Sequence, residues 1–401
     1  MKPYDLIIVG ASAAGMTAAI QAARLHPGAE ILLLERLERV GKKLLATGNG
    51  RCNLSNLAAE QHPYHNAAFA QHALQKYDVA ATLRFFRSLG LLTAADATGR
   101  LYPMSNTAAG VLDALRLGLQ TAGVNLLCAT PVTDVHFEQE LFLLNGTYAA
   151  KKLILATGGR AAPAQGSDGS GYALLQQLGH SVTPTMPSLV PLRTEPDAVK
   201  ALKGLRVHQA AVRVLHRGKI VAESSGEILF TDYGLSGIAA MEVSRAVALH
   251  APCTLSLDLV PELDKAQLSA LLRGYKEANP GVALEYLLCG LLPKHVGLAV
   301  CKAAGISDFS AGLSSLRPVQ LDAVTQSVKQ FLLKAAGTRG YPQAQVTAGG
   351  AEVGEFDPQS LQSRLHKGLY CAGELLDVDG GCGGFNLQWA WSSGLLAGEL
   401  L

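Results

Sequence analysis

The sequence predicts an α/β protein in which a doubly wound dinucleotide-binding domain is interrupted by an inserted β-rich domain and a small helical one. Three observations carry this. The chain opens on a β-α-β pattern with a glycine-bearing turn after its first strand. From Pro187 the pattern switches to polar/apolar alternation with short turns, the mark of antiparallel strands, and then to helical stretches. Near Tyr341 the chain returns to short buried runs and a last helix rich in small and aromatic residues.

The first strand is "DLIIVG", a continuous apolar run of the kind buried on both faces of a parallel sheet. The Ala-rich "ASAAGMTAAIQAARL" comes next as a helix, and "EILLLE" as the second strand. The turn between strand and helix reads Gly10-Ala11-Ser12-Ala13-Ala14-Gly15, a G-x-G-x-x-G pattern with serine at the middle glycine. Gly10 makes the tight turn and Gly15 lets helix and strand pack closely. Ser12, Ala13 and Ala14 open the helix, whose free N–H groups and positive dipole end suit a pyrophosphate. Glu35, twenty residues past Gly15, ends the second strand with Arg36 beside it, where a carboxylate accepts from ribose hydroxyls.

The stretch beyond Glu35 separates FAD from NAD as the dinucleotide. "GKKLLATGNGRCNLSN" is glycine-rich, polar and basic, where a plain NAD domain would continue with a helix. Such a segment reaches from pyrophosphate to flavin ring. Gly48 and Gly50 permit close backbone approach. Lys43 and Arg51 offset phosphate or reduced-flavin charge, Asn53 offers a hydrogen bond to a ring or ribityl oxygen, and Cys52 lies between Arg51 and Asn53. Ala156, Thr157 and Gly158 end another buried strand, where ligands sit in open α/β sheets. There is no second G-x-G-x-x-G at a strand–helix boundary, so NAD(P)H is expected only as a transient co-substrate.

Composition narrows the function further. A net charge of +2 over 401 residues, with no dense Lys/Arg block, argues against nucleic-acid or membrane-surface partners and for a small-molecule substrate. Seven scattered cysteines without a C-x-x-C pair argue against a disulfide framework or zinc site; no metal is expected, and a reducing cytoplasm is. The apolar N-terminal run is preceded by Asp5 and broken by "GASAAG", so it reads as strand–turn–helix rather than an export signal.

Beyond these local readings, "GKKLLATGNGRCNLSN" resembles the signature of the HI0933-like, or YhiN-like, bacterial flavoproteins. "LILATGG", "GSDGSGYALLQQLGH", "GEILFTDYGLSGIAAMEVSR", "VTAGGAEVGEFD" and "GLYCAGELLDVDGGCGGFNLQWAWSSG" are similar to that family too, so the resemblance spans nearly the whole chain. It implies a tightly bound FAD, a fold of the two-dinucleotide-binding flavoprotein type, and oxidoreductase activity with NAD(P)H or substrate as electron source. Amine oxidation like that of aminoacetone oxidase and reduction of steroid-like bile-acid intermediates are activities it suggests. It also implies that Val132 meets adenine through its backbone. Gly373 and Glu374 would then approach the ribityl chain, while Gly383, Gly384, Phe385 and Asn386 would wall the flavin ring. Ser12, and Gly381-Cys382, depart from the family pattern, and Cys382 would face the substrate side. A rival reading is a non-redox, RNA-modifying or sensor flavoprotein.

The expected organisation is an FAD-binding domain over 1–186 and 341–401. A β-rich substrate domain covers 187–257, with a return strand near 318–340, and helices cover 258–317. In "FTDYGLSG", Asp232 and Tyr233 are candidates to face substrate. Leu387, Trp391 and Leu395 fall on one apolar face of the last helix, which makes Trp391 a core residue.

Overall fold

The computed structural model describes residues 2–399. The chain divides into two compact units, Met1–Met186 with Gln345–Leu401, and Pro187–Ala344.

The first unit is built on a seven-stranded sheet. Its strands are β1 (Tyr4–Val9), β2 (Ile31–Leu34), β3 (Asn125–Leu127), β4 (Val135–Glu138), β5 (Leu141–Leu144) and β6 (Tyr148–Leu155), ordered β3-β2-β1-β6-β5-β4. The central pairs β1/β2, β1/β6 and β2/β3 are parallel, and β4-β5-β6 is an antiparallel meander. One edge of β6 is shared: Ala149 and Ala150 pair with β5, and Leu153–Leu155 pair in parallel with a late strand, Leu369–Cys371. The sheet is buried on both faces, as a parallel sheet must be. Leu6, Ile8, Ile31 and Leu33 feed one core, and Ile7, Val9, Leu32 and Leu34 feed the other.

The first helix, Ala13–Leu25, and the last, Phe385–Ala397, pack against each other through small residues. A Cβ on Gly394 would lie 2.5 Å from the Ala14 carbonyl oxygen, and one on Gly398 equally close to that of Ala18. The last helix is buried on every side from Gln388 to Ala397, so the single apolar face expected for it is corrected. Leu387 is only half-buried, while both tryptophans are core. Each indole N–H has a carbonyl partner: Trp389 donates to Gly373 (3.0 Å) and Trp391 to Leu54 (2.9 Å).

The second unit is a closed antiparallel barrel. In chain order its strands are β7 (Leu192–Thr194), β8 (Arg206–His216), β9 (Lys219–Phe230), β10 (Gly234–Ser236), β11 (Cys253–Asp258) and β12 (Phe331–Thr338), closed in the order β7-β10-β9-β8-β11-β12. Arg217 and Gly218, both at positive φ, form the two-residue turn between β8 and β9, the twist-matched geometry for a tight hairpin. Helices Lys265–Ala278, Lys294–Ala303 and Pro318–Lys329 are inserted between β11 and β12.

The expected boundary between helices and return strand shifts here. Residues 318–329 are helical, because Pro318 is at the first position and Leu321, Val324, Thr325 and Val328 are buried at helical spacing. The return strand begins only at Phe331, where Phe331, Leu333 and Ala335 alternate inward.

Candidate functional site

The site forms at the C-terminal ends of β1, β2 and β6, where a parallel sheet opens toward ligands. At the end of β1, Gly10 has φ of +102°, and a Cβ there would lie 2.5 Å from the Ala156 oxygen. A Cβ on Gly15 would fall 1.8 Å from the Gly10 oxygen. Only glycine at both positions lets strand, turn and helix close up as they do. Ser12 is the N-cap of the first helix and makes no side-chain bond to it, so the first-turn N–H groups at Ala13, Ala14 and Gly15 have no capping side chain.

Glu35 is buried, and its two oxygens accept from the N–H groups of Ala11 and Leu37, both at 2.9 Å. The carboxylate therefore shapes the turn as well as offering its remaining lone pairs. Arg36 makes an ion pair with Asp168, so its charge is spent within the protein. Thr130 N–H donates to the Glu35 carbonyl (2.8 Å), which brings the segment with the buried Val132 beside the end of β2.

The glycine-rich segment is tightly wound. Gly48, Asn49, Gly50 and Cys52 all have positive φ, and a Cβ on Gly48 would meet the Asn53 nitrogen at 2.7 Å. Cys52 is fully buried, and burial pushes its thiol up to about 12, which takes it out of thiolate chemistry. Arg51 is exposed and lies over the Tyr102 ring, 4.6 Å from its centroid. Lys43 is ion-paired with Glu374 at 2.8 Å, and Glu374 also accepts from Thr347 N–H (2.9 Å). Lys43 and Glu374, both expected at the cofactor, thus pair with each other across the segment.

The glycines near the C-terminus form the remaining wall. From Leu369 to Gly398 the chain is buried except at Glu374 and over the seven consecutive positions Gly381–Leu387. Gly383 and Gly384 have φ of +135° and +98°. A Cβ on Gly384 would lie 2.5 Å from the Ser55 oxygen and 2.8 Å from Asn53 Oδ1. Gly384 is the N-cap of the last helix and has no side chain to cap it. Asn386 does not leave its amide free: it accepts from Gly380 N–H and donates to the Gly380 oxygen, both at 2.8 Å. Gly373 has φ of +71° and lies against Ala14 in the first helix.

Among the described residues, Asn53 Oδ1 and Thr157 Oγ1 are buried with no hydrogen-bond partner. Buried polar atoms are nearly always satisfied, so the orphan Asn53 Oδ1, which a Cβ on Gly384 would approach to 2.8 Å, points to a polar ligand there, while Thr157 Oγ1 lies against Gly171. These residues fit FAD. The Gly10–Gly15 turn and the first helix would hold the pyrophosphate, Glu35 the adenosine ribose, and Gly48–Asn53 with Gly383–Asn386 the ring end.

Asp232 and Tyr233 are part of the second unit. They lie on a turn of the barrel unit, where Asp232 is exposed and ion-paired with Lys203 (2.7 Å) and Tyr233 carries the Arg339 guanidinium 4.4 Å from its ring centroid. Sequence reasoning missed "HPYHN", residues 62–66. His62 Nε2 accepts from Gly381 N–H (2.8 Å), and its ring stacks on Phe385 at 3.7 Å and 8°. Two imidazoles and a phenol within five positions of an otherwise small-residue stretch were the available signal.

A nucleotide cradle on a parallel sheet defines a Rossmann-type dinucleotide-binding domain, and comparison with known proteins makes this chain an FAD-dependent oxidoreductase. A family model described as HI0933-like protein Rossmann domain matches residues 4–400. The chain belongs to the HI0933-like family of flavoproteins. It is 38% identical over 402 residues to a 3-dehydro-bile acid delta(4,6)-reductase of Clostridium scindens, covering 98% of this chain and 97% of that protein. It is 31% identical to a ribosomal RNA dihydrouridine synthase of Escherichia coli, covering 98% and 96%. In fold it is similar to a 3-ketosteroid delta1-dehydrogenase from Sterolibacterium denitrificans, with a TM-score of 0.51, 15% identity and 99% of each chain covered. Among the described residues, no helix is long and apolar enough to cross a membrane.

Proposed function

We propose that this protein saturates a carbon–carbon double bond conjugated to a carbonyl in a small organic molecule of steroid-acid type, with NAD(P)H as transient electron donor. The observation that carries this reading is the 38% identity, along essentially the whole of both chains, to a reductase of a 3-dehydro-bile acid. The second relative supports the same bond chemistry, since dihydrouridine is uridine with two hydrogens added across a double bond beside a carbonyl. The balance is one hydride from NAD(P)H and one proton from solvent, giving the saturated carbonyl compound and NAD(P)+.

FAD held in this cradle would supply the hydride-transfer chemistry. The chain's own residues bind and orient. The first helix holds the phosphate end through uncapped N–H groups. The last helix presents a second uncapped N-terminus, whose dipole favours negative charge on a reduced ring. Burial keeps the Cys52 thiol protonated.

A small substrate is favoured over RNA because the net charge is only +2 and the sequence has no dense Lys/Arg block. An RNA substrate is the second reading, and the 31% relative is the observation that favours it. The test is an anaerobic absorbance titration of the yellow protein with NADH and NADPH. The bleached protein is then challenged with a 3-oxo-4,6-diene steroid acid and with unmodified ribosomal RNA, and the oxidised protein is titrated separately, also without oxygen, with aminoacetone. Reoxidation by the dienone supports the proposal, and reoxidation by RNA alone moves the substrate to RNA. Bleaching by the amine, with no response to either unsaturated substrate, sinks it.

A further inference from the structure

Residues 62–66 wrap the glycine loop along its length, although more than 310 positions separate the two in sequence. His62 Nε2 accepts from Gly381 N–H (2.8 Å), which places the ring proton on Nδ1. The His62 ring lies parallel to Phe385, the first residue of the last helix. Tyr64 stands edge-on to His62 (5.0 Å, 86°) and donates from its hydroxyl to the Phe385 oxygen at 3.0 Å. His65 N–H donates to the Asp379 oxygen (2.8 Å), and His65 Nε2 is 3.4 Å from Asp377 Oδ1. Asn66 Nδ2 donates to the Asp377 oxygen at 2.6 Å.

The effect is to sort the loop's peptide groups. Gly380 N–H is taken by Asn386, Gly381 N–H by His62, and the Gly383 oxygen accepts from Asn56 Nδ2 at 3.0 Å. The N–H groups of the first turn of the last helix have no intrahelical partner and no capping side chain. They are the donors left for a ligand. Because His62 grips both Gly381 and Phe385, it sets the direction in which that helix end points.

We propose that His62 is a positioning residue for the flavin ring: by accepting the Gly381 N–H and stacking on Phe385, it aims the N-terminus of the last helix at the ring and so raises the affinity for reduced over oxidised flavin. This rests on the reading of Gly381–Asn386 as the ring wall. A helix N-terminus favours the more negative of two ligand states. Loss of aim therefore weakens binding of the reduced form more than the oxidised one. A merely structural role would weaken both alike and leave the reduction potential unmoved.

The experiment compares full-length FAD-loaded wild type with His62→Phe, which keeps the stack and removes the acceptor, and His62→Gln, which keeps an acceptor and removes the aromatic stack. The readouts are FAD affinity and the two-electron midpoint potential. His62→Phe is expected to lower the potential by about 30 mV, the equivalent of a tenfold loss in the reduced-to-oxidised affinity ratio. His62→Gln is expected to recover most of that. Equal potentials in all three proteins overturn the proposal. If His62→Phe cannot be loaded with flavin, the comparison passes to His62→Gln against His62→Ala. A higher potential in the glutamine variant supports the proposal, and equal potentials overturn it. Should none of the variants load, amide exchange at Gly381 in the wild type decides: slow exchange supports the bond to His62, and exchange at the free-peptide rate overturns it. Wild-type protein that takes up no FAD at all refutes the ring-wall reading itself, a separate and visible failure.

Discussion

Substituting Gly394 with alanine should force apart the two helices that carry the cofactor cradle. A Cβ at this position would lie 2.5 Å from the Ala14 oxygen, 3.1 Å from its Cα and 3.2 Å from its carbonyl carbon. All three are backbone atoms, so no side-chain rotation relieves the contact. Opening the closest contact to between 3.0 and 3.4 Å requires a separation of 0.5–0.9 Å, the difference from the present 2.5 Å. Overpacking of this kind costs about 1–3 kcal/mol. Because Ala14 belongs to the first turn of the first helix, the same displacement moves the N–H groups that would hold the pyrophosphate, and FAD affinity should fall by about tenfold or more. The assay is urea unfolding followed by tryptophan fluorescence, with FAD affinity measured alongside. Both tryptophans are in the last helix, so the signal reports this core and not the barrel unit, which matters where two units need not unfold as one. A midpoint for Gly394→Ala equal to or above that of the wild type, with FAD affinity unchanged, would refute the reasoning.

Gly274→Ala should do the opposite. The position is exposed inside the Lys265–Ala278 helix with nothing within 4 Å of an added Cβ, so removing the helix-breaking glycine should stabilise by about 0.5–1 kcal/mol in chemical denaturation followed by circular dichroism. Lys329→Met should cost roughly 3–5 kcal/mol, because Lys329 pairs at 2.6 Å with Asp258, itself 8% exposed, and also donates to the Val260 oxygen. Adding Asp258→Asn to Lys329→Met should recover part of that loss, and no recovery would argue against the ion pair as its source. Glu35→Ala should strand the N–H groups of Ala11 and Leu37 at roughly 1–3 kcal/mol each and weaken FAD binding, both readable by thermal melts with and without added FAD. Burial pulls His62 from an ordinary 6.5 down to about 4, so the folded form resists the proton that the unfolded chain takes up. Stability should therefore fall as pH drops through that window and level off below it. In His62→Gln this component should be missing from the acid titration.

The alternation of buried runs and turns told the sheet, the nucleotide turn and the place where the inserted barrel begins, because these depend on local spacing. A strand buried on both faces, a glycine five positions from another, and the short turns of an alternating stretch are all set by neighbours in the chain. The Phe331 strand start was harder to read because its helix runs directly into it, and helical and alternating patterns overlap over "SVKQFL".

Side-chain fates were another matter. Glu35 was readable as the acid that ends β2, but its double use by Ala11 and Leu37 depends on where the turn folds. Glu374 and Lys43 each looked available for a ligand, yet they meet each other across 331 positions. His62 carried no recognisable motif, because its meaning lies wholly in Gly381 and Phe385. The sequence by itself determined the class of the protein, its cofactor and the order of its parts. Only the tertiary structure decided which charged and polar groups are spent on one another, since such pairing is set by distance in space and leaves no periodic trace along the chain.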